Sequence, residues 1–181
     1  MKKFILCTVM MVMYSMMGFA KYYICQVTKD VNFREGPSTE SARLFVISRG
    51  DFIFIDTDEK VGNYYRAIHI ESNEIGYVSA NYVKRIQEVE EDPNGTLQLI
   101  DNSENYLSEV QIENDTNLSV VITIGSKSYK FKPHEKKIIT IEPNTYKIRA
   151  SCPGVIPYVG TDKVEGGHVY SWTFYTYTTR R

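Results

Sequence analysis

The sequence predicts an all-β protein of two domains, a small barrel followed by a β-sandwich. Three observations carry this expectation. Short runs rich in Val, Ile, Thr, Tyr and Phe alternate with polar residues, as half-buried strands do, and neither half keeps a 3.6-residue apolar period. Gly, Pro and Asn turn signals separate these runs. Residues 88–95, Glu-Val-Glu-Glu-Asp-Pro-Asn-Gly, carry four acids and then a Pro and a turn-forming Asn-Gly pair, and read as a linker between 21–87 and 96–181.

The first twenty residues read as an export signal. Lys2 and Lys3 are followed by a largely apolar, uncharged stretch from Phe4 to Met17, and Gly18-Phe19-Ala20 offers small residues at a cleavage site. All six Met fall within residues 1–17, an abrupt compositional change. The run is shorter than the roughly 20 apolar residues that span a bilayer, so residues 1–20 are expected to be a cleaved signal peptide and the protein periplasmic or secreted. Removing Lys2 and Lys3 with the leader leaves 19 Lys plus Arg against the same 22 acids, a formal charge of −3. A weakly acidic chain is a poor match for nucleic acid, whose binders carry a basic surplus, and it has no polybasic arm for a membrane surface. No later apolar run approaches spanning length, so no membrane span is expected after the leader.

In the first domain, Tyr23, Cys25 and Val27 alternate, and Gly36-Pro37 marks a tight turn after Val31-Asn32-Phe33-Arg34. Leu44 to Ile47, Phe52 to Ile55, Tyr64 to Ile70 and Glu74 to Val78 are further apolar segments, and Asn81-Tyr82-Val83 closes the unit. About five short strands with Gly at their changes of direction suit a small barrel better than an open sheet, whose edges need protection. Val31-Asn32-Phe33-Arg34-Glu35-Gly36-Pro37-Ser38-Thr39 resembles the bacterial SH3 (SH3b) signature V-N-V-R-x-G-P-S-T. Gly50-Asp51 falls where that family has its G-D turn, and Gly76-Tyr77-Val78 with Asn81-Tyr82-Val83 is similar to its closing G-W-V-x-x-x-Y-L/V pattern. The resemblance spans 22–86; Tyr77 stands in place of the usual Trp, and Tyr64 or Tyr65 where a second Trp is common. It implies a non-catalytic SH3-like barrel that binds peptidoglycan or cell-wall peptides, or that pairs with a neighbouring domain. Tyr64, Tyr65, Tyr77 and Tyr82 are the candidate ligand-binding residues, since grouped aromatics offer flat contact area at low entropic cost. The competing use of these rings is to fill the core of a small barrel. Arg34 is expected to brace the Gly36-Pro37 turn.

In the second domain, Thr96 to Ile100, Ser108 to Glu113, Leu118 to Ile124, Ser128 to Lys132, Lys136 to Ile141, Thr145 to Cys152 and His168 to Thr178 read as strands. Some seven strands at intervals near ten residues favour an immunoglobulin-like sandwich. Glu142-Pro143-Asn144-Thr145-Tyr146 and the stretch from Gly154 to Gly160 resemble, loosely, elements of the Ig-like sandwiches of secreted bacterial accessory proteins. The last strand is aromatic on both faces. Tyr170, Trp172 and Phe174 share one, Tyr175 and Tyr177 the other. Trp172, Tyr175 and Tyr177 are therefore candidates for a partner or interdomain contact, with plain core as the alternative.

No catalytic or cofactor motif emerges. Cys152 lies in Ser151-Cys152-Pro153-Gly154 at a strand end, without the helix N-terminus and neighbouring His that activate a thiolate. Cys25 sits in the first strand at a core position. Both cysteines read as buried thiols or, because export permits it, as a Cys25–Cys152 disulfide clamping the domains. His69, His134 and His168 show no metal-ligand spacing, and there is no phosphate-binding Gly-rich loop, so neither a metal nor a cofactor is expected. The expectation is a non-enzymatic exported module that recognises peptidoglycan or cell-wall peptides through the barrel. The alternative is an adaptor that docks an envelope protein through the sandwich.

Overall fold

A computed structural model describes residues 21–92 and 95–176. The expected signal peptide, Pro93-Asn94 of the acidic segment and Tyr177 lie outside the described residues. The protein is all-β, with three sheets and one 3₁₀ turn among the described residues. No helix there is long and apolar enough to cross a membrane.

The N-terminal unit contains β1 (Tyr22–Val27), β2 (Val31–Arg34), β3 (Arg43–Ile47), β4 (Phe52–Ile55), β5 (Tyr64–His69) and β6 (Ile75–Ser79). A 3₁₀ turn (Ala80–Tyr82) then leads into β7 (Val83–Val89). These strands form one seven-stranded sheet in the order β3-β2-β6-β5-β4-β1-β7, with every pair antiparallel. The alternation in β1 sends Tyr23, Cys25 and Val27 into a core with Phe33, Ile47, Ile53, Ile55, Tyr65, Ala67 and Val78. β4 and β5 are apolar on both faces for a physical reason. Their second face carries Phe54 and Ile68, which form a separate buried cluster with Tyr22 and Val159 of the C-terminal unit. Strands covered on both sides read as continuous apolar runs.

The C-terminal unit contains β8 (Gln98–Asn102), β9 (Ser108–Asn114), β10 (Val120–Ile124), β11 (Lys127–Phe131), β12 (Lys136–Ile141), β13 (Asn144–Ser151), β14 (Tyr158–Val164) and β15 (His168–Phe174). They form two four-stranded sheets, β11-β10-β13-β14 and β12-β9-β15-β8, in which β15 runs parallel to β9 and antiparallel to β8. The two sheets share one core. Val120, Ile122, Ile124, Ile148 and Ala150 from one meet Val110, Ile112, Ile139, Tyr170 and Phe174 from the other. β14 is an eighth strand, in a stretch that the seven strands read from the sequence do not include. Its inward positions include Gly160 and Asp162, which hide the apolar alternation expected of a strand.

The acidic segment is not a free linker. Glu88 and Val89 belong to β7 and pair with Tyr23 and Tyr22. The Asp92 amide then donates to the Val159 carbonyl at 3.0 Å, and Asp92 bridges Gly160 in parallel. Glu91 accepts hydrogen bonds from Tyr22 Oη at 3.1 Å and Thr161 Oγ1 at 3.1 Å, tying the two units together. Gly95 follows at φ 71°, where a Cβ would stand 2.4 Å from Asp162 Oδ1. That close approach lets the buried Asp162 carboxylate accept the Thr96 amide at 2.8 Å and the Leu97 amide at 2.9 Å.

Cys25 and Cys152 are both free and buried, in different cores, so the interdomain disulfide is absent. The units are clamped instead by Asp56, whose Oδ2 accepts from Arg66 Nη1 and from Arg149 Nη1, each at 2.5 Å. The Gly154 amide donates to the Ile70 carbonyl at 2.8 Å, and Asn73 Nδ2 to the Ser151 carbonyl at 3.3 Å.

Candidate binding cleft

The four candidate tyrosines of the first unit separate into three environments. Tyr65 points inward from β5 and is 8% exposed, a core residue with no surface to offer a ligand. Strand parity is the reason: Tyr65 and Ala67 share the face that packs against β1 and β2 side chains. Tyr77 is half-buried on β6, across from Arg34 on one side and Arg66 on the other. Tyr64 and Tyr82 meet in an open cleft of about 430 Å³, lined also by Lys29, Asp30, Asn32, Arg34, Asn63 and Ser79.

Local structure explains this lining. Val31 and Phe33 turn into the core, so the alternation of β2 leaves Asn32 and Arg34 facing outward. Arg34 Nη1 donates to the Ser41 carbonyl at 2.7 Å and thereby braces the loop that carries Gly36-Pro37 and Thr39. Two backbone hydrogen bonds hold the far wall: the Thr28 amide to the Tyr82 carbonyl at 2.9 Å, and the Ala80 amide to the Asn63 carbonyl at 2.9 Å. Lys29 Nζ sits 3.8 Å from the centroid of the Tyr82 ring, a cation–π contact that orients both groups. Asp30 Oδ1 accepts the Arg49 amide at 2.8 Å.

The cleft therefore combines two phenol rings, two carboxamides, hydroxyls and both signs of charge. This chemistry suits an extended polar chain with hydrogen-bonding groups along its length, and the aromatic rings supply stacking area. Sequence reasoning singled out Tyr64 and Tyr82 as ligand candidates and Arg34 only as the brace of a turn, and it missed Lys29, Asp30, Asn32, Asn63 and Ser79. Those residues come from three separate stretches of chain, and each by itself reads as an ordinary turn or strand-surface residue.

The aromatic C-terminal strand is largely committed to packing. Tyr170 and Phe174 are buried, and Trp172 packs on the same core with its ring 6.0 Å from Tyr158 and 6.2 Å from Phe174. Trp172 is thus tied up by the opposing sheet, whereas Tyr175 lies past the end of β15 and is 65% exposed. Burial pushes the Cys25 thiol up to about 11 and raises that of Cys152 as well, the reverse of what a nucleophilic thiolate needs. Compared with known proteins, the chain matches no family model, no curated protein and no solved structure.

Proposed function

We propose that this chain is an exported, non-catalytic binding protein whose N-terminal unit is an SH3-like barrel of the bacterial type, recognising peptidoglycan or cell-wall peptides. The C-terminal unit, as an Ig-like sandwich, is the rigid body on which the barrel is mounted. The observation that carries this reading is the convergence of Tyr64 and Tyr82 with amide, hydroxyl and charged side chains in one open cleft. Peptide stems present amides and carboxylates, and glycan strands present hydroxyls and flat sugar faces; both match such a lining. The leader-like pattern read in residues 1–20 supports this reading, because export would bring the protein to the compartment where that material lies.

The test is co-sedimentation of the 21–181 protein with insoluble peptidoglycan. Tyr64→Ala with Tyr82→Ala should weaken retention by about tenfold or more, as loss of aromatic anchors does, while circular dichroism and the melting transition stay close to the parent. Retention unchanged in the double variant sinks the cleft as the reader. A second reading, an adaptor that docks an envelope protein, is favoured by a different observation. Leu99, Ile100 and Tyr175 are all more than half exposed, the first two on the edge strand β8.

A further inference from the structure

At the other end of β5, away from the cleft residues, three ligand-type side chains converge. His69 closes β5, Asp51 precedes β4, and Glu71 lies in the turn after β5. One ligand atom from each lies within 4.8 Å of the others. His69 Nε2 is 3.8 Å from Asp51 Oδ2, too long for a hydrogen bond. The imidazole is 6% exposed, and its Nε2 has no hydrogen-bond partner. A buried polar atom in that condition costs free energy unless something completes its shell.

The rest of the ring is already held. His69 Nδ1 lies 2.8 Å from Ser72 Oγ, and the Phe45 ring packs edge-on at 5.2 Å. The Ser72 amide also approaches Nδ1, at 3.4 Å, and Nε2 is left facing the Asp51 carboxylate; in the tautomer whose Nδ1 proton goes to Ser72 Oγ, the Nε2 lone pair is open to a cation between them. A hydrogen bond from the far nitrogen is also how metal-binding imidazoles are oriented. Asp51 is held as well, since its Oδ2 accepts the Ser48 amide at 3.0 Å. Asp51 and Glu71 stay open to solvent, so water can complete the coordination.

We propose that Asp51, His69 and Glu71 form a binding site for a divalent transition-metal ion of the zinc type. One imidazole nitrogen with two carboxylates selects such ions over calcium or magnesium, which prefer all-oxygen shells. Tetrahedral zinc places adjacent nitrogen and oxygen ligands about 3.4 Å apart. The 3.8 Å between Nε2 and Oδ2 needs only a small closure to reach that spacing, and the exposed Glu71 side chain is free to swing in. The site adjoins the junction between the two units, because Ile70 and Asn73 of the same turn bond Gly154 and Ser151. A bound ion therefore braces the turn on which the C-terminal unit rests. None of its ligands lines the cleft, so this site stands or falls independently of the wall-binding function.

The probe is Zn²⁺ itself, titrated calorimetrically into untagged, chelator-treated 21–181 protein, with thermal melting in parallel. One equivalent should bind and raise the melting temperature. Glu71→Gln, an exposed change that spares the fold, should weaken binding at least tenfold, as should Asp51→Asn. Glu74→Gln, an exposed neighbour outside the cluster, should leave it unchanged. Excess Ca²⁺ should not displace the zinc. The proposal is overturned by absence of stoichiometric binding at 100 µM Zn²⁺, by titrations of Glu71→Gln and Asp51→Asn that match the parent, or by equal competition from Ca²⁺.

Discussion

The N-terminal sheet presents two surfaces built from the same kinds of residue and put to opposite uses. At the cleft, Tyr64, Tyr82, Lys29 and Arg34 stay in contact with solvent around an open volume. At the junction, Tyr22, Phe54 and Asp56 are covered by Arg149, Val159 and Thr161 of the second unit, with Arg66 bonding Asp56 from the partly open rim. Tyr22 stacks on Phe54 with ring centroids 5.9 Å apart and an interplanar angle of 15°. The lesson is that aromatic and charged residues on a small β unit do not declare their role. What decides it is whether another part of the chain lies on top of them.

The sharpest way to break this comparison is to truncate one ring on each surface. Phe54→Ala removes a fully buried ring and should cost about 3–5 kcal/mol in denaturant unfolding. Tyr64→Ala should cost under about 1 kcal/mol, as changes at solvated surface positions do. Equal losses would erase the distinction between the two surfaces.

A somewhat smaller effect tests the junction charges. Asp56→Ala leaves the Arg149 guanidinium, already pulled below its usual range by burial, without its carboxylate. Unfolding free energy should fall by about 3 kcal/mol, and the double change Asp56→Leu with Arg149→Met should recover most of the loss. If the single variant is as stable as the parent, the clamp contributes nothing.

Smaller still is the response to alkaline pH. The Cys25 thiol moves from 9.0 to about 11 because it is buried, and Tyr22 is raised by burial and by Glu91. A folded-state value above the unfolded one keeps the full stabilisation below the unfolded value and loses it as pH climbs through the folded one. Stability should therefore decline from about pH 9 to pH 11, by on the order of 2 kcal/mol for Cys25 alone. Urea melts of Cys25→Ala across that window should show a flatter profile. An identical slope would place the ionising group elsewhere.

Much of the strand content is legible in the sequence because half-buried strands alternate. Tyr23, Cys25 and Val27 in β1, and Val120, Ile122 and Ile124 in β10, announce their inward face without help. The failures have physical causes. β14 is masked by Gly160, which admits the Tyr158 ring at close range, and by Asp162, whose buried carboxylate serves backbone amides instead of apolar packing. The segment at 88–95 has the composition of a solvated linker, yet Glu91 spends its charge on Tyr22, Thr161 and Lys147 across the junction. Within the cleft, two rings are visible from residue type, whereas the polar lining depends on turns converging from distant stretches.

From the sequence alone follow the all-β class, the division into two β-rich halves and the Arg34-braced loop, because these rest on period-2 patterning and local turn chemistry. The tertiary structure decides which of two adjacent tyrosines, Tyr64 or Tyr65, sees solvent. It also decides that the cysteines stay apart, that residues 88–92 are docked, and that Asp51, His69 and Glu71 meet. Those outcomes depend on which surfaces cover one another across the chain, and no local pattern encodes a long-range contact.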